Sequence, residues 1–145
     1  GEEYAAELEK KLGDGWKVII KMHPRLHSQL TNCDIETNKL MPVADVLVTD
    51  YSSLVFEYAL YKKPWVIFAP DIKSYSSGRS FYLDYKTDMP APVVTEGEKL
   101  AQAVLDCEKS FDSQGAERFT EKYMSACDGR STERIIDSVL GKERF

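Results

Sequence analysis

Residues 45–68 change hydrophobic period twice within a short span, and this constrains the fold more than any other feature. Asp45-Val46-Leu47-Val48 is a short apolar run that reads as a buried strand of residues 45–49. Leu54-Val55-Phe56-Glu57-Tyr58-Ala59-Leu60 reads, with its flanks, as a helix over 53–62. Lys63-Pro64 breaks that helix, and Trp65-Val66-Ile67-Phe68 is a second apolar run of strand length, closed by Pro70. A strand, a helix and a strand in such close order imply a βαβ unit with parallel strands. The link between strand and helix is Thr49-Asp50-Tyr51-Ser52-Ser53. Small polar groups at a helix start, at the carboxyl end of a strand, suit an anion, and a phosphate above all.

The rest of the chain repeats the alternation. Tyr4, Ala5, Leu8 and Leu12 fall at helical spacing in residues 2–12, with Gly13 as a stop. Residues 16–22 read as a strand ending at His23-Pro24, and 33–35 as a weak second one. Residues 38–44 suggest a connection or single helical turn broken by Pro42. Residues 71–92 read as a long functional loop, Val93-Val94 as one more strand, and 96–110, 113–125 and 131–140 as helices. The apolar stripe of Ile135, Ile136, Val139 and Leu140 is expected in the core. The predicted fold class is α/β, a Rossmann-like parallel sheet with helices on both faces. Ligands of such sheets bind at the carboxyl ends of the strands, where His23, Asp50 and Asp71 would meet.

Composition removes several function classes. The 145 residues suit one domain, and a net charge of −5 argues against a nucleic-acid-binding surface. No apolar run reaches the roughly 20 residues that cross a bilayer. Cys33, Cys107 and Cys127 are odd in number and match no disulfide framework, so reduced cytoplasmic thiols are the expectation. With His23 and His27 as the two histidines, a zinc site is not expected. Asp50 and Asp71, on separate loops, do not support a divalent metal, and no cofactor is expected.

An ordered set of segments carries a family resemblance. Lys21-Met22-His23-Pro24, Ala44 to Ser53, Phe56-Glu57-Tyr58-Ala59, Lys63-Pro64, Ala69-Pro70-Asp71, Tyr75, Arg79 and Phe81-Tyr82 together resemble the CDP-glycerol glycerophosphotransferases, the teichoic acid polymerases and primases. The resemblance covers roughly residues 17 to 140. Glu57 stands where aspartate is usual, Ser80 where glycine is usual, and 89–92 lacks a glycine often found between its prolines. The family implies a GT-B architecture of two Rossmann-like lobes, with this chain as the C-terminal, donor-binding lobe of a longer enzyme. It implies transfer of glycerol phosphate from CDP-glycerol to a hydroxyl of a polymer or lipid-linked acceptor, which the other lobe would hold. The full protein is then expected in the cytoplasm, peripheral at the inner face of the cell membrane, with no nucleic acid partner. The alternatives are a CDP-ribitol or capsule sugar-phosphate transferase lobe, or a non-catalytic nucleotide-binding module.

Each candidate residue has a plain reading beside the functional one. His23 is an exposed turn histidine or, as the resemblance implies, the catalytic group that donates to a donor phosphate. Ser52 and Ser53 are helix caps or phosphate ligands, and the two roles are compatible. Asp50, beside Thr49, would repel a diphosphate, so it orients a hydroxyl, a backbone turn or His23. Asp71 faces the same choice, with ribose or cytosine as partner. Arg79 is a solvated loop residue or neutralises the leaving group through its fork of donors, and Arg25 is a candidate of the same kind.

Overall fold

The computed structural model describes residues 2–22, 31–72, 83, 85 and 87–141. The elements in chain order are α1 (Glu2–Leu12), α2 (Thr37–Leu40), β1 (Leu47–Thr49), α3 (Leu54–Ala59), β2 (Trp65–Phe68) and β3 (Val93–Val94). Three helices complete the chain: α4 (Gly97–Lys109), α5 (Ser113–Met124) and α6 (Ser131–Leu140). The α/β expectation holds. The strands form one parallel sheet in the order β1-β2-β3, with Leu47 beside Trp65 and Ile67 beside Val93.

β2 is the centre of the molecule, and its strand alternation sorts the core into two layers. Trp65, Val66 and Ile67 have no exposed surface. Trp65 and Ile67 pack with Val55, Tyr58 and Ala59 of α3 and with Ala116 and Phe119 of α5. Val66 packs on the opposite side with Leu12 of α1 and with Ala101, Val104 and Cys107 of α4. β1 is less covered than a buried strand would be, since Val48 is 37% exposed. It is an edge strand among the described residues, where one face lacks a full cover.

Three sequence expectations change in the structure. Residues 16–22 form no strand among the described residues. Their polar groups are satisfied by side chains instead. Val18 N–H donates to Glu9 Oε1 (2.7 Å), Ile20 N–H to Asn32 Oδ1 (2.8 Å) and Met22 N–H to Thr31 Oγ1 (3.3 Å). Asn32 also donates from its backbone to the Ile20 carbonyl (3.2 Å) and from its side chain to that of Val18 (3.1 Å). Alternate N–H groups of this segment are thus paired without a strand ladder.

Second, no strand forms at 33–35; the turn of α2 follows directly. Third, the loop expected over 71–92 also contributes to the core through its described residues. Leu83, Tyr85 and Met89 are buried in the core layer of Trp65, and Met89 Sδ accepts the indole N–H at 3.4 Å.

The entry into β1 is bracketed from below. Tyr58 donates its hydroxyl to the Ala44 carbonyl at 3.0 Å, and Lys63 Nζ donates to the carbonyls of Ala44 (2.9 Å) and Pro42 (2.7 Å). Burial pushes the Tyr58 phenol well above its ordinary pKa, and the negative charge of Asp45 adds to the effect. It therefore stays a donor throughout the physiological range. These bonds fix the approach to β1, which ends at Thr49 and leads into Asp50.

Candidate functional site at the carboxyl edge of the sheet

β1 and β2 run parallel, so the turns that leave them emerge on the same edge. β1 delivers Thr49 and the turn Asp50-Tyr51-Ser52-Ser53; β2 delivers Ala69, Pro70 and Asp71. The two turns are joined by a side-chain bond. Tyr51 donates its hydroxyl to Asp71 Oδ1 at 2.9 Å, across 20 residues of sequence. The Tyr51 ring meets that of Tyr85 edge-on, with centroids 5.7 Å apart, and packs against the core layer of α3. Sequence reasoning quoted Tyr51 within its motif but gave it no role. The available signal was an aromatic hydroxyl directly after a strand-end aspartate.

The first turn folds on itself. Asp50 Oδ1 accepts the Ser52 N–H at 3.1 Å, and Ser52 Oγ accepts the Leu54 N–H at 3.3 Å. These are the local side-chain closures that Asp and Ser make at turns. The N–H groups of Val55 and Phe56 go to the carbonyls of Ser52 (3.4 Å) and Ser53 (3.1 Å). Ser53, the N-cap, has helical φ and ψ and makes no capping bond with its side chain. Its N–H has no partner among the described residues. The turn therefore uses internally most of the N–H groups that a helix start would offer an anion. Of the three roles open to Asp50, ordering the backbone turn is the one seen.

Thr49, Asp50, Ser52, Ser53 and Asp71 are thus gathered at one edge, half-buried or exposed. His23, Arg25 and Arg79 lie outside the described residues, as does His27. Among the described residues, no group of three or more His, Cys, Asp or Glu side chains could hold a metal ion. No helix among them is long and apolar enough to cross a membrane. The edge can hold a ligand through hydroxyl groups, which serve as donor or acceptor, and through carboxylates, which when ionised only accept.

Comparison with known proteins adds an independent line. The sequence model described as CDP-Glycerol:Poly(glycerophosphate) glycerophosphotransferase matches residues 4–141. The ribitol-phosphate polymerase TarL of Staphylococcus aureus is 33% identical over 136 residues, 86% of this chain and 24% of that protein. The poly(glycerol phosphate) polymerase of Staphylococcus epidermidis is 30% identical over 146 residues, 91% of this chain and 20% of that one. A solved variant of the wall teichoic acid polymerase TagF superposes with a TM-score of 0.70 at 27% identity, covering 93% of this chain and 36% of that chain. A further TagF structure, soaked with CDPG, superposes at 0.56 with 30% identity over 70% of this chain and 26% of that one. The chain thus spans about a quarter of the length of such relatives.

Proposed function

The chain belongs to the CDP-glycerol:poly(glycerophosphate) glycerophosphotransferase family, and from that premise we propose that it is the donor-holding, C-terminal lobe of a two-lobe transferase. The whole enzyme passes glycerol phosphate from CDP-glycerol to a hydroxyl of a teichoic acid chain or primer. The acceptor oxygen attacks the β-phosphorus, the bond to the CMP oxygen breaks, and CMP leaves. The acceptor's proton passes to a base on the other lobe.

One observation carries the reading. The turns after β1 and β2 bring Thr49, Ser52 and Ser53 hydroxyls and the Asp71 carboxylate to a single edge, tied by the Tyr51–Asp71 bond. The Thr49, Ser52 and Ser53 hydroxyls and the Ser53 N–H would contact the diphosphate without adding negative charge. Because the turn uses other N–H groups internally, basic side chains supply the rest. His23 is the catalytic group in this reading, with Arg25 and Arg79 neutralising the leaving phosphate. No metal or cofactor takes part. A CDP-ribitol donor is the second reading, favoured by the likeness to a ribitol-phosphate polymerase.

Calorimetry on the chain with CDP-glycerol, CDP-ribitol and CMP tests both readings. Binding of one CDP-alcohol in preference to CMP is the expected result, and its identity names the donor. Ser52→Asp keeps an acceptor for the Leu54 N–H but sets a carboxylate against the diphosphate. It should weaken binding about tenfold more than Ser52→Ala, on the order of 1.4 kcal/mol. Equal losses in the two variants, or no binding of either CDP-alcohol, would remove the reading.

A further inference from the structure

Residues 18–22 lead in sequence to His23, and one short stretch of chain supplies most of the bonds that hold them. Asn32 makes three. Its side-chain oxygen accepts the Ile20 N–H at 2.8 Å, its side-chain amide donates to the Val18 carbonyl at 3.1 Å, and its backbone N–H donates to the Ile20 carbonyl at 3.2 Å. An amide side chain carries an acceptor and a donor together, so Asn32 binds the peptide groups on both sides of Ile19 as a neighbouring strand would. The next alternate N–H, that of Met22, donates to Thr31 Oγ1 at 3.3 Å, and Lys21 Nζ donates to the Cys33 carbonyl at 2.6 Å. Trp16 and Val18 pack on the layer of Val66, which ties the same segment to the body of the fold. Between the held Met22 N–H and the α-carbon of His23, only the φ and ψ of Met22 remain to vary. Pro24 then restricts the backbone of His23 itself.

We propose that Asn32, assisted by Thr31, is a positioning residue of the transferase: by fixing the peptide groups of 18–22 it sets where the His23 imidazole meets a phosphate of the donor. The inference rests on the donor-lobe reading above and on its assignment of His23. An imidazole that bonds a phosphate oxygen must come within about 3 Å of it. A misplacement of about 1 Å is enough to forfeit most of such a contact. A residue that follows a strand inherits its placement from the ladder. His23 follows a segment without one, so side chains take over that task. Among the described residues, neither Asn32 nor Thr31 bonds to β1, to its turn or to Asp71. Their effect on the donor therefore passes through the segment that ends at Met22, and single substitutions remove it without touching the sheet.

The test is calorimetry with whichever of CDP-glycerol and CDP-ribitol the parent chain binds more tightly, on the parent, Asn32→Ala, His23→Ala and the double variant. Unfolding in urea shows which variants are folded. His23→Ala should weaken binding about tenfold and Asn32→Ala about fivefold, with the double variant no weaker than His23→Ala alone. A merely structural asparagine would weaken binding equally with or without His23. If Asn32→Ala does not fold, Thr31→Val takes its place, since valine matches threonine in shape but offers the Met22 N–H no acceptor. It should cost about threefold where His23 is present and nothing where it is absent, and Thr31→Ser, which keeps the acceptor, should restore the parent's affinity. Parent-like binding by the variant used, or a loss undiminished in the His23→Ala background, overturns the inference and leaves the donor-lobe reading standing. Parent-like binding by His23→Ala removes the role of His23 and the inference with it, and again leaves the lobe. A parent chain that binds neither CDP-alcohol removes all three.

Discussion

At the scale of single residues, Gly115 shows how one missing methyl group can decide a local structure. Its N–H donates to Oδ1 of Asp112, the N-cap of α5, at 2.8 Å. A Cβ at this position would collide with the Asp112 carboxylate and lie 2.9 Å from Pro90 Cβ. Neither neighbour has an easy retreat. Asp112 would have to give up its cap, and Pro90 follows Met89, which is buried and bonded to Trp65. In an open helix Gly→Ala stabilises by about 1 kcal/mol. Here the crowding and the lost cap oppose it, each costing about 1–2 kcal/mol. Gly115→Ala should therefore destabilise by roughly 1–3 kcal/mol, seen as a lower urea midpoint at unchanged slope. A midpoint at or above that of the parent would refute this account. Nothing in the sequence marks Gly115, because part of its constraint comes from a proline 25 positions earlier and the rest from the rotamer of its own helix cap. Ser52 is the opposite case: its place after a strand-end aspartate made a turn legible, though not that the turn would take its own N–H groups.

Among the elements, periodicity sets the type of each helix well and its environment poorly. The expected helices over 96–110, 113–125 and 131–140 appear as Gly97–Lys109, Ser113–Met124 and Ser131–Leu140. Yet the α6 stripe expected in the core is on the surface: Ile135 is 62% exposed and Val139 73%. An amphipathic pattern states that a helix has two faces, not what meets the apolar one. With no buried residue of its own, α6 is held at its N-terminal end by polar contacts. Arg134 bonds both Asp128 oxygens (2.8 and 2.9 Å), the Ala126 carbonyl and Ser131 Oγ, and Arg130 pairs with Glu133 at 2.8 Å.

The Arg134 bonds, and then the Arg130 N–H, hold the Asp128 carboxyl below its ordinary pKa of 3.8. Glu133 is lowered in the same way by Arg130. A carboxyl whose folded pKa is depressed stabilises above its unfolded value, and the contribution is lost as pH falls through the folded value. Protection of the amides across Ser131–Leu140, measured against the unstructured rate at the same pH, should thus be high at neutral pH and fall below about pH 4. Arg134→Ala should show little protection at either pH. A variant that protects these amides as well as the parent at pH 7 would show that other contacts hold α6.

For the whole molecule, the βαβ order was legible because β2 is buried on both faces and so reads as an unbroken apolar run. The covering of β2 was less legible. Leu83, Tyr85 and Met89 belong to its core, but their segment has no period, since contacts rather than a repeating element determine which residues turn inward. The donor edge could be inferred from strand order, whereas the Tyr51–Asp71 tie needed the fold. With two helix-backed core layers and about a quarter of the length of its relatives, the chain should fold cooperatively yet release no CMP from CDP-glycerol when an acceptor is added. CMP release at a rate above that of buffer would show that no second lobe is required.

The side-chain pairing of residues 18–22 with 31–33 has a topological consequence. Bonds from Asn32 and Thr31 to Val18, Ile20 and Met22, and from Lys21 Nζ to the Cys33 carbonyl, close the chain on itself on either side of residues 23–30. α1, just upstream, is fastened separately through Leu12 to the α4 layer. The first 22 residues are thus clasped to the body of the protein at two separate points, one of hydrogen bonds to 31–33 and one of apolar packing through Leu12.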